Sequence, residues 1–266
     1  MKRQEIVDKL SRVRCFLLDM DGTFYLGNQI LDGSLQFLDA VKSTARQAMF
    51  LTNNSSKSAA VYVEKLKRMG VSDPFLKVLT SGQATAQYAL KTYPGLPAYV
   101  LGTRQLQDEL TASGIEINEQ NPAYVIIGYD TTLDYQKMTR VCDLVRAGLP
   151  YVATHPDFNC PTETGFAPDI GAIIAFIEAS ASRRPDIIIG KPYRGIVEEA
   201  MRVTGLQAEQ LAMVGDRLYT DIAMACNHGM LGILVLTGEA TMDDLAGSPV
   251  KPDLVFNRLA DMIDYL

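Results

Sequence analysis

The sequence predicts an α/β protein built on doubly wound parallel sheets and divided into two units. Three observations carry this. Short apolar runs of β type alternate with stretches of helical periodicity along the whole chain. About nine such runs is generous for one sheet of this kind, so two α/β units are expected. The runs whose C-terminal ends carry chemically loaded residues cluster near the two ends of the chain, leaving a block of about 110–130 residues between them, a normal domain size. A Rossmann-like core assembled from residues 1–79 and 186–266, with a second α/β domain inserted at 80–185, accounts for all three.

The charged, amphipathic segment 2–12 opens the chain as a solvated helical face. Cys15–Leu18 is the first apolar strand and delivers Asp19, Asp21, Gly22 and Thr23. Alternation along a strand puts the two acids on one face, where like charges repel unless a cation or a proton sits between them. Ala48–Leu51 exits into Thr52-Asn53-Asn54-Ser55, which both caps the periodic stretch Ser58–Met69 and offers N–H groups to an anion. Gln83–Lys91 reads as helix. Ala98–Leu101 and Tyr124–Ile127 exit into Gly102-Thr103-Arg104 and Gly128-Tyr129-Asp130, with the helical stretch Tyr135–Arg146 behind them. Tyr151–Ala153 runs into the polar segment 153–172, rich in Pro and Gly, and loops of that length are often functional. The apolar helix Gly171–Ala181 follows. Ile187–Ile189 exits into Gly190-Lys191-Pro192 before the helix Gly195–Thr204. Leu211–Val214 exits into Gly215-Asp216-Arg217, with Asp221 five residues past Asp216 at the head of the helix Asp221–Asn227. Gly232–Leu236 and Leu254–Phe256 complete the strands.

The 266 residues are 47% apolar and 21% charged with a net charge of −6, ordinary for a soluble protein and the wrong sign for a nucleic-acid partner. No apolar run approaches the roughly 20 residues of a membrane helix, so no membrane is expected. The N-terminal segment has no apolar signal region. The four cysteines form no C-x-x-C pair, which points to a reduced, cytoplasmic protein without disulfides or a zinc site. Only His155 and His228 are present, too few for a multi-histidine metal centre.

In open parallel sheets ligands bind beyond the C-terminal strand ends, so the loaded exits belong to one chemistry. Carboxylates without histidine suit a hard cation such as Mg2+, which takes one or two carboxylates together with substrate phosphate. A lysine and a Thr/Asn turn suit phosphoryl oxygens. A carboxylate beside the metal can attack phosphorus, and a second acid can protonate the leaving alcohol and then deprotonate the hydrolytic water.

With these residues in view the sequence resembles the haloacid dehalogenase phosphatases, most closely the NagD-like and p-nitrophenylphosphatase-like group, whose cap (type C2) is inserted between the second and third motifs. "DMDGT" at 19–23, "LTNNS" at 51–55, "GKP" at 190–192 and "GDRLYTD" at 215–221 match its four motifs. One pattern such as D-x-D-G-T arises by chance in about one chain in several hundred; four in order, each at a strand exit, are far more specific. The resemblance implies that Asp19 is the nucleophile and Asp21 the acid/base, that Thr52 and Asn53 hold the phosphoryl group and Lys191 neutralises it. It implies Mg2+ held by the Asp19 carboxylate, the Asp21 carbonyl and Asp216, with Asp221 one layer further out. It also makes the 153–172 loop the part that selects the substrate, with His155 and Asp157 as its candidates. Tyr193-Arg194 stand where relatives often carry Ser-Pro, which touches the approach to Lys191 and not its charge. The expected partner is a small phosphate ester, such as a sugar phosphate, a nucleotide or p-nitrophenyl phosphate, and a homodimer is the assembly to test for. Two rivals differ in readout. A phospho-accepting signalling module would accumulate phosphoprotein, and a mutase or phosphotransferase would need an acceptor sugar.

Overall fold

A computed structural model of the chain describes residues 2–73, 76–162 and 165–266. The chain begins with α1 (Arg3–Ser11), β1 (Cys15–Leu18), a hairpin of β2 (Tyr25–Leu26) and β3 (Gln29–Ile30), α2 (Ser34–Ser43), β4 (Gln47–Thr52), α3 (Ala59–Arg68) and β5 (Val78–Thr80). It continues with α4 (Ser81–Thr92), β6 (Ala98–Leu101), α5 (Arg104–Ala112), β7 (Tyr124–Ile127), α6 (Tyr135–Arg146), β8 (Tyr151–Ala153), β9 (Asn159–Thr162), β10 (Gly165–Pro168), α7 (Ile170–Ala181) and β11 (Ile187–Ile188). It ends with α8 (Arg194–Thr204), β12 (Leu211–Gly215), α9 (Ala223–His228), β13 (Leu231–Val235), α10 (Met242–Gly247) and β14 (Leu254–Phe256). Helix starts follow side-chain caps: Thr80 and Gln83 form a capping box on α4, and Asp134 and Asp169 cap α6 and α7.

Two compact units result. The first comprises Met1–Thr52, Tyr62–Leu79 and Val197–Leu266, the second Asn53–Val61 and Thr80–Ile196. The first holds a six-stranded sheet in the order β14-β13-β12-β1-β4-β5. β1, all four residues buried, pairs in parallel with β12 (Leu18 opposite Val214) and with β4 (Leu18 opposite Phe50). Phe37 of α2 packs edge-on to Phe16 at 5.6 Å, and Phe24 packs edge-on to Phe50 at 4.8 Å. Each such buried ring contributes on the order of 2–3 kcal/mol of apolar transfer. The strand order reverses between β1 and β12, and the open crevice at such a reversal is where doubly wound sheets bind ligands.

The second unit holds a parallel sheet in the order β11-β8-β7-β6. Alternation along its strands divides the core cleanly. Tyr99, Leu101, Val125, Ile127, Tyr151 and Ala153 face α6 and α7, while Ala98, Val100, Tyr124 and Ile126 face α4 and α5. Both faces are covered by helices, which is why these strands read as continuous apolar runs. β11, with Ile187 opposite Val152, belongs to this sheet. The polar segment 153–172 contains an antiparallel pair, β9 with β10, that its sequence does not announce; Glu163 and Thr164 within it lie outside the described residues.

Candidate active site

Asp19 follows β1 directly, and its N–H donates to the Val214 carbonyl at 2.9 Å, so β1's register with β12 delivers it beside Gly215-Asp216. Asp19, Asp216 and Asp221 bring carboxylate oxygens within 4.8 Å of one another. Asp221, expected one layer further out, thus joins the same cluster. It stands in a π-helical turn, Leu218–Ile222, where its carboxylate accepts the Arg217 N–H at 3.1 Å. Single π turns of this kind recur at functional sites because they re-aim one side chain.

Asp216 is buried and held on both oxygens. Oδ1 accepts the Thr23 hydroxyl at 3.0 Å, and Oδ2 accepts the Glu239 N–H at 2.8 Å. Burial, and then the Asp19 charge, push its carboxyl up to about 6. The pocket around it is closed by bare backbone. A Cβ on Gly22 (φ +88°) would lie 2.5 Å from Asp216 Oδ2, and one on Gly238 would overlap the same carboxylate. Gly215 gives Asp221 its room in the same way. Three acids this close, with no histidine or cysteine among them, form a donor set suited to a hard divalent cation.

Asp21 is placed differently from what strand alternation predicts. β1 ends at Leu18, and residues 20–25 form a tight turn in which the Met20 carbonyl accepts the N–H groups of Phe24 and Tyr25. Asp21 is therefore exposed while Asp19 is half-buried, and its Oδ1 accepts the Gly27 N–H at 3.3 Å. Tyr25, on the hairpin that follows, is buried beneath the Lys65 ammonium, 3.9 Å from its ring centroid. Burial first, then the charges of Asp21 and Asp19, raise its phenol well above the usual range. Thr52 ends β4, the other neighbour of β1, and is buried.

The remaining candidates lie in the second unit. Lys191 is buried, and its main chain is gripped by Asn53. The Lys191 N–H donates to Asn53 Oδ1 at 2.7 Å, and Asn53 Nδ2 donates to the Lys191 carbonyl at 3.0 Å. Asn53 Nδ2 also donates to the Asp157 carboxylate at 3.1 and 3.3 Å, and the Ser81 hydroxyl donates to the Asn53 carbonyl. Gly190 is required here, since a Cβ would lie 2.6 Å from Asn53 Oδ1 and 2.7 Å from the Thr154 carbonyl. Both amide hydrogens of Asn53 are thereby spent, and its main-chain N–H is the donor it has to offer an anion.

His155 is fully buried, with Nδ1 3.0 Å from the Thr154 hydroxyl and Nε2 3.1 Å from Asp169 Oδ1. Thr154 continues to Ser55 at 2.9 Å, and Ser55 accepts the Tyr129 N–H. His155, Asp157 and Asp169 also lie within 4.8 Å of one another, but the histidine nitrogens are engaged with neighbours and Asp169 caps α7. Sequence reasoning misses Thr23, Gly22 and Gly238 as supports for Asp216, and Asp169 as the partner of His155. Thr23 and Gly22 are signalled by the first motif itself. Gly238 and Asp169 have no local signal, because their contacts span 22 and 14 residues.

Comparison with known proteins agrees along the chain. Residues 16–116 match a family described as haloacid dehalogenase-like hydrolase, and residues 188–262 match a second family of the same kind. The chain is 36% identical over 255 residues to an acid sugar phosphatase of Staphylococcus aureus, covering 96% of this chain and 98% of that one. It is similar to the crystal structure of a 4-nitrophenylphosphatase from Thermotoga maritima, with TM-score 0.93 and 46% identity over 96% of this chain and 98% of that one. It is also similar to a glycerol phosphate phosphatase of Mycobacterium tuberculosis solved in complex with calcium, with TM-score 0.85 and 30% identity over 96% of this chain and 76% of that one.

Proposed function

The chain belongs to the haloacid dehalogenase-like hydrolases, in their NagD-like and p-nitrophenylphosphatase-like group, and is a phosphatase of phosphate monoesters; from that premise we propose that it works through a phosphoryl-aspartate on Asp19, with Mg2+ as its metal. The observation that carries this reading is the meeting of Asp19, Asp216 and Asp221 at the adjoining ends of β1 and β12. All three are hard oxygen donors, and the raised Asp216 carboxyl marks a site that a cation would relieve. The Asp19 and Asp216 carboxylates, with the Asp21 carbonyl, would hold the ion, and Asp221 would stand beside them. A calcium-bound relative with the same fold is consistent with a divalent ion there. When bound, Mg2+ supplies positive charge against the phosphoryl oxygens.

The chain's own residues supply the rest. A carboxylate oxygen of Asp19 attacks phosphorus, and the bond from phosphorus to the ester oxygen breaks. Asp21 gives its proton to the departing alkoxide. Asp21 then takes a proton from water, the water oxygen attacks phosphorus, and the bond to Asp19 breaks, releasing phosphate and the free carboxylate. Asp21's exposure suits this role, since it must meet first the alcohol and then water. The Thr52 hydroxyl, the Asn53 main-chain N–H and the Lys191 ammonium hold the phosphoryl oxygens. We further propose that the α/β domain at 80–185, which falls within the second unit, is the cap and that it chooses among small esters: sugar phosphates, nucleotides and p-nitrophenyl phosphate. A panel of such esters assayed with Mg2+ and with excess EDTA tests the reading. Phosphate release that needs the ion is expected. Unchanged release in EDTA would remove the metal. Failure to trap a phosphoryl group on Asp19, by acid quench during turnover and borohydride reduction of the acyl phosphate, would remove the covalent step.

A further inference from the structure

We propose that Asp157 is a positioning residue for Lys191, acting through the amide of Asn53, rather than a contact for the substrate alcohol; this rests on the reading of Lys191 as a phosphoryl ligand. All residues concerned lie in the second unit. Asn53 bridges the Lys191 main chain in both directions, accepting its N–H at 2.7 Å and donating to its carbonyl at 3.0 Å. An amide can do this in only one orientation. Turned over, it would set an NH2 against the Lys191 N–H. A carboxylate only accepts hydrogen bonds, so Asp157, 3.1 Å from Nδ2, admits the NH2 group and excludes the amide oxygen. Asp157 therefore selects the one amide orientation that grips Lys191.

The carboxylate is delivered by a fixed loop. The Asp157 carbonyl accepts the Gly171 N–H at 2.8 Å, and the Phe158 carbonyl accepts the Asp169 N–H at 2.9 Å. His155, fully buried, ties Thr154 to Asp169. A Cβ at Gly171 would lie 2.5 Å from the Pro156 carbonyl oxygen, so the loop sits directly on the first turn of α7. Gly190 leaves no slack on the other side, where Asn53, Thr154 and His155 crowd it. The path from α7 through Asp157 and Asn53 to Lys191 is thus a chain of short contacts.

The test compares Asp157→Ala and Asp157→Asn with the wild-type chain on p-nitrophenyl phosphate, a hexose phosphate and a nucleoside monophosphate. Loss of the lock misplaces Lys191, which meets the phosphoryl group common to all three. Asp157→Ala is expected to lower kcat/KM by about 10- to 100-fold, by the same factor for each ester, and to weaken inhibition by inorganic phosphate. The asparagine of Asp157→Asn can present its own carbonyl oxygen to Asn53 and is expected to return activity to within about threefold of wild type. Asn53→Ala should reproduce the loss, with no further loss in the Asn53→Ala/Asp157→Ala double variant. Hydrogen exchange at the Lys191 amide, which needs no turnover, should quicken in Asp157→Ala and not in Asp157→Asn. A loss that differs more than about tenfold between esters would assign Asp157 to the alcohol and overturn the proposal. So would an Asp157→Asn variant no better than Asp157→Ala, or unchanged exchange at Lys191 in the alanine variant. A wild-type chain that releases no phosphate from any ester would instead sink the functional reading, and the exchange experiment would still decide this one.

Discussion

Replacing Asp216 by asparagine should make the metal-stripped protein more stable while removing its activity. The buried carboxyl is pushed from 3.8 up to about 6, first by burial and then by the charge of Asp19. Two pH units correspond to roughly 3 kcal/mol of penalty on the ionised form. Because the folded value lies above the unfolded one, the carboxyl favours the fold while protonated. That contribution is fully present below about pH 4 and is lost as pH rises through about 6. The asparagine side chain removes the penalty and keeps most of the contacts. Its carbonyl oxygen can accept the Glu239 N–H, and its NH2 can donate to Thr23, whose hydroxyl can turn to accept. Exchanging a charged acceptor for a neutral one costs about 1 kcal/mol. The net gain at pH 8 in EDTA is therefore about 1–2 kcal/mol, a rise in Tm of about 2–8 °C. Thermal unfolding of both proteins from pH 4 to 8 reads this directly. The gap should be small at pH 4, open between pH 4 and 6 and level off by pH 7, and saturating Mg2+ should reverse it by stabilising the wild type alone. An asparagine variant less stable than wild type at pH 8 in EDTA, or a gap that does not change with pH, would refute the electrostatic account of the cluster.

Further outcomes follow from the same geometry. Asp19→Asn should lower phosphate release at least about 10³-fold with an unchanged circular dichroism spectrum; a near-normal rate would dismiss the nucleophile. Gly22→Ala places a Cβ 2.5 Å from Asp216 Oδ2 at φ +88°, so it should cost about 1–2 kcal/mol in stability and raise the concentration of Mg2+ needed for half-maximal activity; titration of activity with Mg2+ checks the second effect. Cys15 is fully buried, and burial pushes its thiol up to about 12, so iodoacetamide at pH 8 should label exposed Cys226 and leave Cys15 untouched in the folded protein, as mapped by mass spectrometry.

Much of this molecule is legible in its residues because the informative signals are local. Cys15–Leu18, Ala98–Leu101, Tyr124–Ile127, Tyr151–Ala153 and Leu254–Phe256 are strands over the expected bounds, and Tyr135–Arg146 is the expected helix. Buried parallel strands must be apolar on both faces, and each exit then stands out against its run. The three carboxylates at β1 and β12 are legible for the same reason. What is not legible depends on distance or on turns. Strand alternation does not account for the Asp19/Asp21 pair, because the strand stops one residue before Asp19 and a turn sets the geometry. β5, only three residues long and without a loaded exit, gives no signal, nor do β9 and β10, whose exposed residues carry no apolar pattern. The grip of Asn53 on Lys191 crosses 138 residues, and its link to Asp157 crosses 104. No window on the sequence contains both ends.

The place of β1 between β4 and β12 has a consequence for synthesis. Its partner on one side starts at Gln47, but the other starts only at Leu211. As the chain leaves the ribosome, Cys-Phe-Leu-Leu therefore waits with one row of N–H and C=O groups unpaired until nearly four-fifths of the polypeptide has emerged. An apolar strand with an open edge is a template for pairing with other chains. Fragments that stop short of Leu211 should accordingly collect in the insoluble fraction or on chaperones, where the intact chain does not.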